Sequence, residues 1–368
     1  MSKLFEPLKL GAIELDHRVV AAPLTRMRSE QPSDVPGRLM VEYYSQRASK
    51  GGLQIAEATP VAFEGRGYLG APGIYDDAHI AGWKKVTDAV HAKGGKIVLQ
   101  LWHVGRQSHV ELTGGKAPVA PSAIQVEDLV YTSNGWVPTS PNRALEIDEI
   151  KTIIEQFRQG AERAKAAGFD GVELHGANGY LVDQFLQDGS NQRTDIYGGS
   201  IENRTRFLTE VVEAIVSVWG GDRVGVRLGP SGTFGTMSDS NPDALFTYAV
   251  QQLNAFGLAY LHLIEPRIIG GTEAADGLPP VAAAQLRKVF KGPIIAAGGF
   301  DGESAAQIIE KGDADAVAFG RFFASNPDLA LRFRGNLPLS AYDRATFYGG
   351  DARGYTDYPT YAEEIAAQ

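Results

Sequence analysis

The chain has no cysteine. Disulfides, thiolate metal sites and a cysteine nucleophile are therefore excluded from the start. It has no excess of basic charge either: 35 Lys and Arg stand against 44 Asp and Glu, a formal net charge of −9. Binding nucleic acid or an anionic membrane needs a basic face, so neither is expected as a main role. No apolar run approaches a membrane span, and the opening MSKLFEPLKLG lacks the apolar stretch of a signal peptide. A cytoplasmic location is the expectation. What is present suits a packed globule: 43% apolar and 21% charged residues over 368 positions, enough for one large domain or two ordinary ones.

Short apolar stretches alternate with longer amphipathic ones. Strands are predicted at 19–22, 53–58, 96–101, 172–175, 224–228, 260–264, 293–297 and 316–319. Helices are predicted after them at 38–49, 78–93, 148–167, 201–218, 242–256, 281–290, 303–311 and 327–334. Ser200 and Asn241-Pro242 supply helix starts, and Gly94, Gly168, Gly220, Gly257 and Gly312 sit where helix ends want a left-handed residue. Strands apolar on both faces, separated by helices, imply a parallel sheet covered by helices. Eight such units in one α/β chain imply a closed (β/α)8 TIM barrel. Ahead of it, LKLGAIEL reads as a β-hairpin turning at Gly11-Ala12. No linker divides 1–368, so a single domain is expected. The connection at 102–147, with GGKAPVAPSA and an Asn134-Gly135 turn, is too long to be a simple loop. It leaves the carboxyl end of the third strand, where barrel active sites form, and predicts a lid or channel wall over that face.

The most informative segment is GVELHGANGY, 171–180. His175 and Asn178 follow a short strand, and Gly176 and Gly179 let the backbone coil so that the two side chains converge. Two nitrogen donors on one oxygen, with the Tyr180 phenol alongside, would polarise a carbonyl or nitro group and protonate the product. A buried histidine and a turn asparagine are the alternative reading of the same residues. Gly298-Gly299 and Gly320-Arg321 follow strands seven and eight, the usual phosphate site of this fold, unless they are only tight turns. His103 and His109 are too few for a metal site, so none is expected.

The run HGANGYLVDQFLQDGSNQRTDIYGGSIENRTRF, with APLTRMRS, QLWHVGRQSH and FYGGDARGYTDYP, resembles the Old Yellow Enzyme family. Within it, these motifs are similar to the bacterial N-ethylmaleimide, nitrate-ester and morphinone reductases. The resemblance runs nearly end to end. It implies a barrel with tight, non-covalent FMN that takes hydride from NADPH or NADH. In ping-pong order, flavin N5 would then reduce a small electrophile: an enone, a maleimide, a nitro compound or a nitrate ester. By this resemblance Pro23, Leu24 and Thr25 lie along the flavin, with the Thr25 hydroxyl on O4. Some relatives have cysteine there, so this chain is set apart from that subgroup. Ala58 lies along the flavin edge, Gln100 pairs with N3 and O2, and Arg227 stands beside N1 and O2. Gly298, Gly299, Gly320 and Arg321 hold the phosphate. His175 touches both flavin and substrate; with Asn178 it grips the substrate oxygen, and Tyr180 protonates the alpha carbon. Tyr68, Trp102, Phe347 and Tyr348 line the pocket. Two rivals remain at this level: a lyase or isomerase of phosphorylated sugars on the same barrel, and a flavin-binding protein without turnover. The first wants a Schiff-base lysine or paired strand-end carboxylates, and neither is clearly placed.

Overall fold

The computed structural model describes residues 2–266, 268–269, 272–273 and 281–367. Eight parallel strands close into a barrel: β1 (Val19–Ala21), β2 (Leu53–Pro60), β3 (Lys96–Trp102), β4 (Gly171–Gly176), β5 (Val224–Leu228), β6 (Tyr260–Ile264), β7 (Ile294–Ala297) and β8 (Ala316–Phe319). They pair in chain order, and β8 pairs back to β1. All eight predicted strands are present, in the (β/α)8 arrangement expected of them.

Period-two alternation sorts the core into two layers. Ile97, Leu99 and Leu101 of β3, Val172 and Leu174 of β4, and Val224 and Val226 of β5 point outward to the helices. Val98, Ile295 and Ala316 point inward and fill the barrel with Val20, Leu53 and Ile55. The helices Arg38–Gln46, Asp77–His91, Ile147–Ala166, Ile201–Trp219 and Pro242–Leu253 cover the outside. Their starts are capped as expected, Ser200 accepting from the Asn203 N–H and Asn241 from the Ala244 N–H. The five glycines expected at helix ends all take positive φ, between 59° and 84°.

One predicted helix is shorter than expected. Over 281–290 only Ala283–Leu286 is α-helical, and the chain then tightens through Lys288 N–H to Gln285 and Val289 N–H to Leu286 bonds. Gly292-Pro293 follow at once, and proline cannot continue a helix.

The predicted hairpin pairs Leu8–Leu10 with Ile13–Leu15. Leu10, Ile13 and Leu15 are buried against the inward barrel residues, so the hairpin closes the amino end of the barrel. At its turn Gly11 has φ +56°, and a Cβ there would lie 2.2 Å from the Asp222 carbonyl oxygen. The neighbouring Ala12 N–H bonds to that same oxygen at 2.8 Å.

The segment 102–147 carries a second hairpin, Leu129–Thr132 with Gly135–Pro138. Ser133 and Asn134 make its turn, and Gly135 takes the positive φ of 82°. The hairpin reaches across to the loop after β2, where the Leu69 N–H bonds to the Tyr131 carbonyl at 2.8 Å. Among the described residues no helix is long and apolar enough to cross a membrane.

Candidate active site

The carboxyl end of β4 builds the centre of the site. His175 leaves the strand, and Asn178 and Gly179 both take left-handed conformations, φ +58° and +72°. The coil is held from outside: the Gly179 N–H donates to Asp183 Oδ2 at 2.9 Å, and the Gln184 amide donates to the Gly179 carbonyl at 2.7 Å. Asp183 and Gln184 belong to Leu181–Leu186, a helix too short to show a sequence periodicity and not foreseen. Burial pushes the Asp183 carboxyl up to about 7.

His175 Nδ1 accepts the Ala177 N–H at 3.3 Å. That fixes the tautomer: the proton sits on Nε2, leaving the ring one outward donor. Burial, then the Arg227 charge, holds its pKa well below 6.5, so the ring is neutral at ordinary pH. Tyr180 lies beside it, ring centroids 5.0 Å apart, and burial raises its pKa well above 10. The Tyr68 hydroxyl stands 3.4 Å from the Tyr180 hydroxyl. Trp102 packs against all three rings, at 4.9 Å from Tyr180, 5.8 Å from Tyr68 and 6.3 Å from His175. Ala58 belongs to the same buried cluster. The Asn178 amide makes no hydrogen bond among the described residues and is partly exposed.

Beneath His175 lies a polar layer that replaces the apolar filling of the barrel. Its members are Gln100 on β3, Glu173 on β4, Arg227 on β5 and His262 on β6. The Gln100 amide nitrogen donates to Glu173 Oε1 at 2.7 Å, and His262 Nδ1 donates to Glu173 Oε2 at 2.9 Å. Burial opposes the Glu173 charge, but His262, Arg227 and Gln100 outweigh it and hold the carboxyl below its usual value. Burial keeps His262 neutral. Glu173 and His262 were not singled out in the sequence. The available signal was a carboxylate two residues before His175 in an otherwise apolar strand, hence on the same face.

The mouth is framed by two aromatic segments. Trp136 of the second hairpin sits 6.0 Å from Tyr68 and 5.8 Å from Tyr348, which is 54% exposed. Phe347 packs instead on Tyr342, at 5.7 Å. Arg26 clamps this C-terminal stretch by donating to the carbonyls of Phe347 (2.9 Å) and Gly354 (2.7 Å), and Arg28 donates to that of Thr346 (2.8 Å). These two arginines of APLTRMRS had no expected role, and their partners lie over 300 residues away.

Gly298 and Gly299 follow β7 with φ of 127° and 65°, which only glycine adopts freely. Gly320 follows β8 and opens the one-turn helix Arg321–Ser325. The helix after β7, Gly302–Lys311, is capped by the Asp301 carboxylate, which accepts the Ser304 N–H at 2.8 Å. That N-terminus thus already meets a negative charge. Arg321 donates to the Tyr342 hydroxyl at 3.3 Å and makes no ion pair among the described residues.

FMN fits this donor set. The Arg227 guanidinium is inside the barrel with no ion-pair partner within 4.0 Å, and its Nε is buried without a hydrogen bond among the described residues. Such a group demands an acceptor. Among the described residues the Thr25 hydroxyl, in the loop after β1, also lacks a protein partner, and Gln100 keeps its carbonyl oxygen unpaired. Pro23 and Leu24 lead into this position, Leu24 3.1 Å from where a Cβ on Gly320 would stand. No strand ends in a lysine, so a Schiff-base chemistry has no nucleophile here.

The chain matches the NADH:flavin oxidoreductase / NADH oxidase family over residues 3–340. It is 49% identical to 12-oxophytodienoate reductase 1 of Oryza sativa subsp. japonica over 368 residues, covering 98% of this chain and 94% of that one. Morphinone reductase in complex with tetrahydroNAD superposes with a TM-score of 0.91 at 50% identity, over 97% of each chain. The Old Yellow Enzyme homologue from Zymomonas mobilis gives 0.93 at 42% identity, over 97% of this chain and 99% of that one. Likeness of this extent rules out the sugar-phosphate and turnover-free alternatives. The chain belongs to the NADH:flavin oxidoreductase / NADH oxidase family, that of Old Yellow Enzyme, and is an FMN-dependent oxidoreductase that draws its reducing power from NADH or NADPH.

Proposed function

We propose that this enzyme reduces the activated double bond of enones and maleimides, and handles nitro and nitrate-ester compounds through the same grip on oxygen. The observation that carries the reading is the pairing of a neutral, single-donor imidazole at His175 with a phenol at Tyr180 kept protonated by burial. FMN, when bound, supplies the hydride. Thr25, Gln100 and Arg227 would hold its ring edge, with Pro23, Leu24 and Ala58 alongside it. Gly298, Gly299, Gly320 and Arg321 would hold its phosphate. His175 Nε2–H and the Asn178 amide donate to the substrate oxygen, where negative charge develops. Tyr180 delivers the proton to the alpha carbon, and Tyr68, 3.4 Å away, aligns its hydroxyl. Trp102 confines the substrate, and Tyr348 and Phe347 flank the way in. The 102–147 excursion walls the entrance, and nicotinamide and electrophile use the space in turn.

Tyr180→Phe separates the roles. Alkene reduction should slow by roughly 10²–10⁴, the usual worth of a positioned general acid. Reduction by nicotinamide should hardly change, since it needs no phenolic proton. Stopped-flow traces in which both half-reactions fall together would remove Tyr180 as the proton donor.

A further inference from the structure

Resting on the reading that Gln100 and Arg227 face the flavin, we infer that Glu173, backed by His262, is a positioning residue that orients the Gln100 amide and balances the Arg227 charge. Gln100, Glu173 and His262 are each at most 1% exposed. Because Gln100 gives an N–H to Glu173, its amide is not free to rotate: the reversed orientation would set two oxygens against each other at 2.7 Å. The amide oxygen is thereby turned away from the carboxylate as an acceptor. One amide N–H also remains to be given. That pattern, acceptor beside donor, is what an N–H next to a carbonyl requires.

The charge argument is separate. Among the described residues Arg227 has no carboxylate within ion-pair distance, yet Glu173 occupies the neighbouring strand and acts on it through a buried, low-dielectric interior. With His262 neutral, Glu173 and Arg227 sum to zero. An uncompensated arginine would hold an added electron pair too firmly for its onward transfer. Glu173 keeps that hold moderate. A buried carboxylate serving only stability would be an expensive choice, since apolar packing does the same at no desolvation cost.

The test is Glu173→Gln in the FMN-loaded enzyme, because glutamine keeps the size and one oxygen to accept the Gln100 N–H while losing the charge. At a fixed dye potential the ratio of reduced to oxidised FMN should rise at least tenfold, about 30 mV for a two-electron couple. FMN affinity, read from flavin fluorescence quenching, should stay near native. A folded Glu173→Gln protein with native potential overturns the inference. Should that variant fail to fold, Glu173→Asp decides: native potential with at least tenfold weaker FMN supports the role, and native values of both overturn it. Gln100→Ala monitors the underlying reading on its own. If it binds FMN as tightly as the native chain, the flavin-edge assignment fails whatever Glu173 does.

Discussion

A histidine can grip an oxygen as a charged or a neutral donor, and the surroundings of His175 choose the neutral form. Burial and the Arg227 cation both disfavour an imidazolium, and the Ala177 N–H occupies Nδ1. Alkene reduction should therefore show no inflection from His175 at the usual histidine value of about 6.5. An inflection near 6.5 in the oxidative half-reaction would mean that His175 titrates after all. His175→Ala should cost on the order of 10²–10³ in that step, as loss of one oxyanion-type donor does. If it kept native turnover and native affinity for phenols, the grip would lie elsewhere. His175, Asn178 and Tyr180 were legible because they share ten residues and two glycines that bend them together. Glu173 and His262 were not, because their meeting depends on the register of strands 89 residues apart.

Among the elements, those with a strong local signal were read correctly and those defined by partners were not. The barrel strands stood out as apolar runs, and helix starts carried visible caps. The helices Leu181–Leu186 and Arg321–Ser325 span less than two turns, so no apolar stripe announces them. The C-terminal clamp is invisible in sequence for a different reason: Arg26 and Arg28 bond to backbone carbonyls, which every residue possesses. The N-terminal hairpin gives an element-scale prediction. Gly11→Val forces a side chain into positive φ and onto the Asp222 carbonyl. It should lower stability by about 1–3 kcal/mol, the worth of one such strain. Protein that remains folded should turn over normally, because the hairpin lies at the opposite end from His175. Thermal melts with an unchanged midpoint would show that the turn relaxes.

For the whole molecule, acidity is the condition that matters. His17, His79, His103, His175 and His262 all have pKa values lowered by burial, that of His103 to about 4. A group depressed in the folded state binds more protons when unfolded, so its stabilising effect is present above 6.5 and lost as pH falls towards the folded value. Glu57 and Asp183, both pushed up to about 7 by burial, act in the opposite direction. Between pH 7 and 5 the two sets pull against each other. The sealed amino end of the barrel has a consequence for traffic. A tube open at both ends would let one visitor depart while the next arrived. A cul-de-sac makes each guest back out along its own route, so the pace of the cycle inherits the slower of two exits.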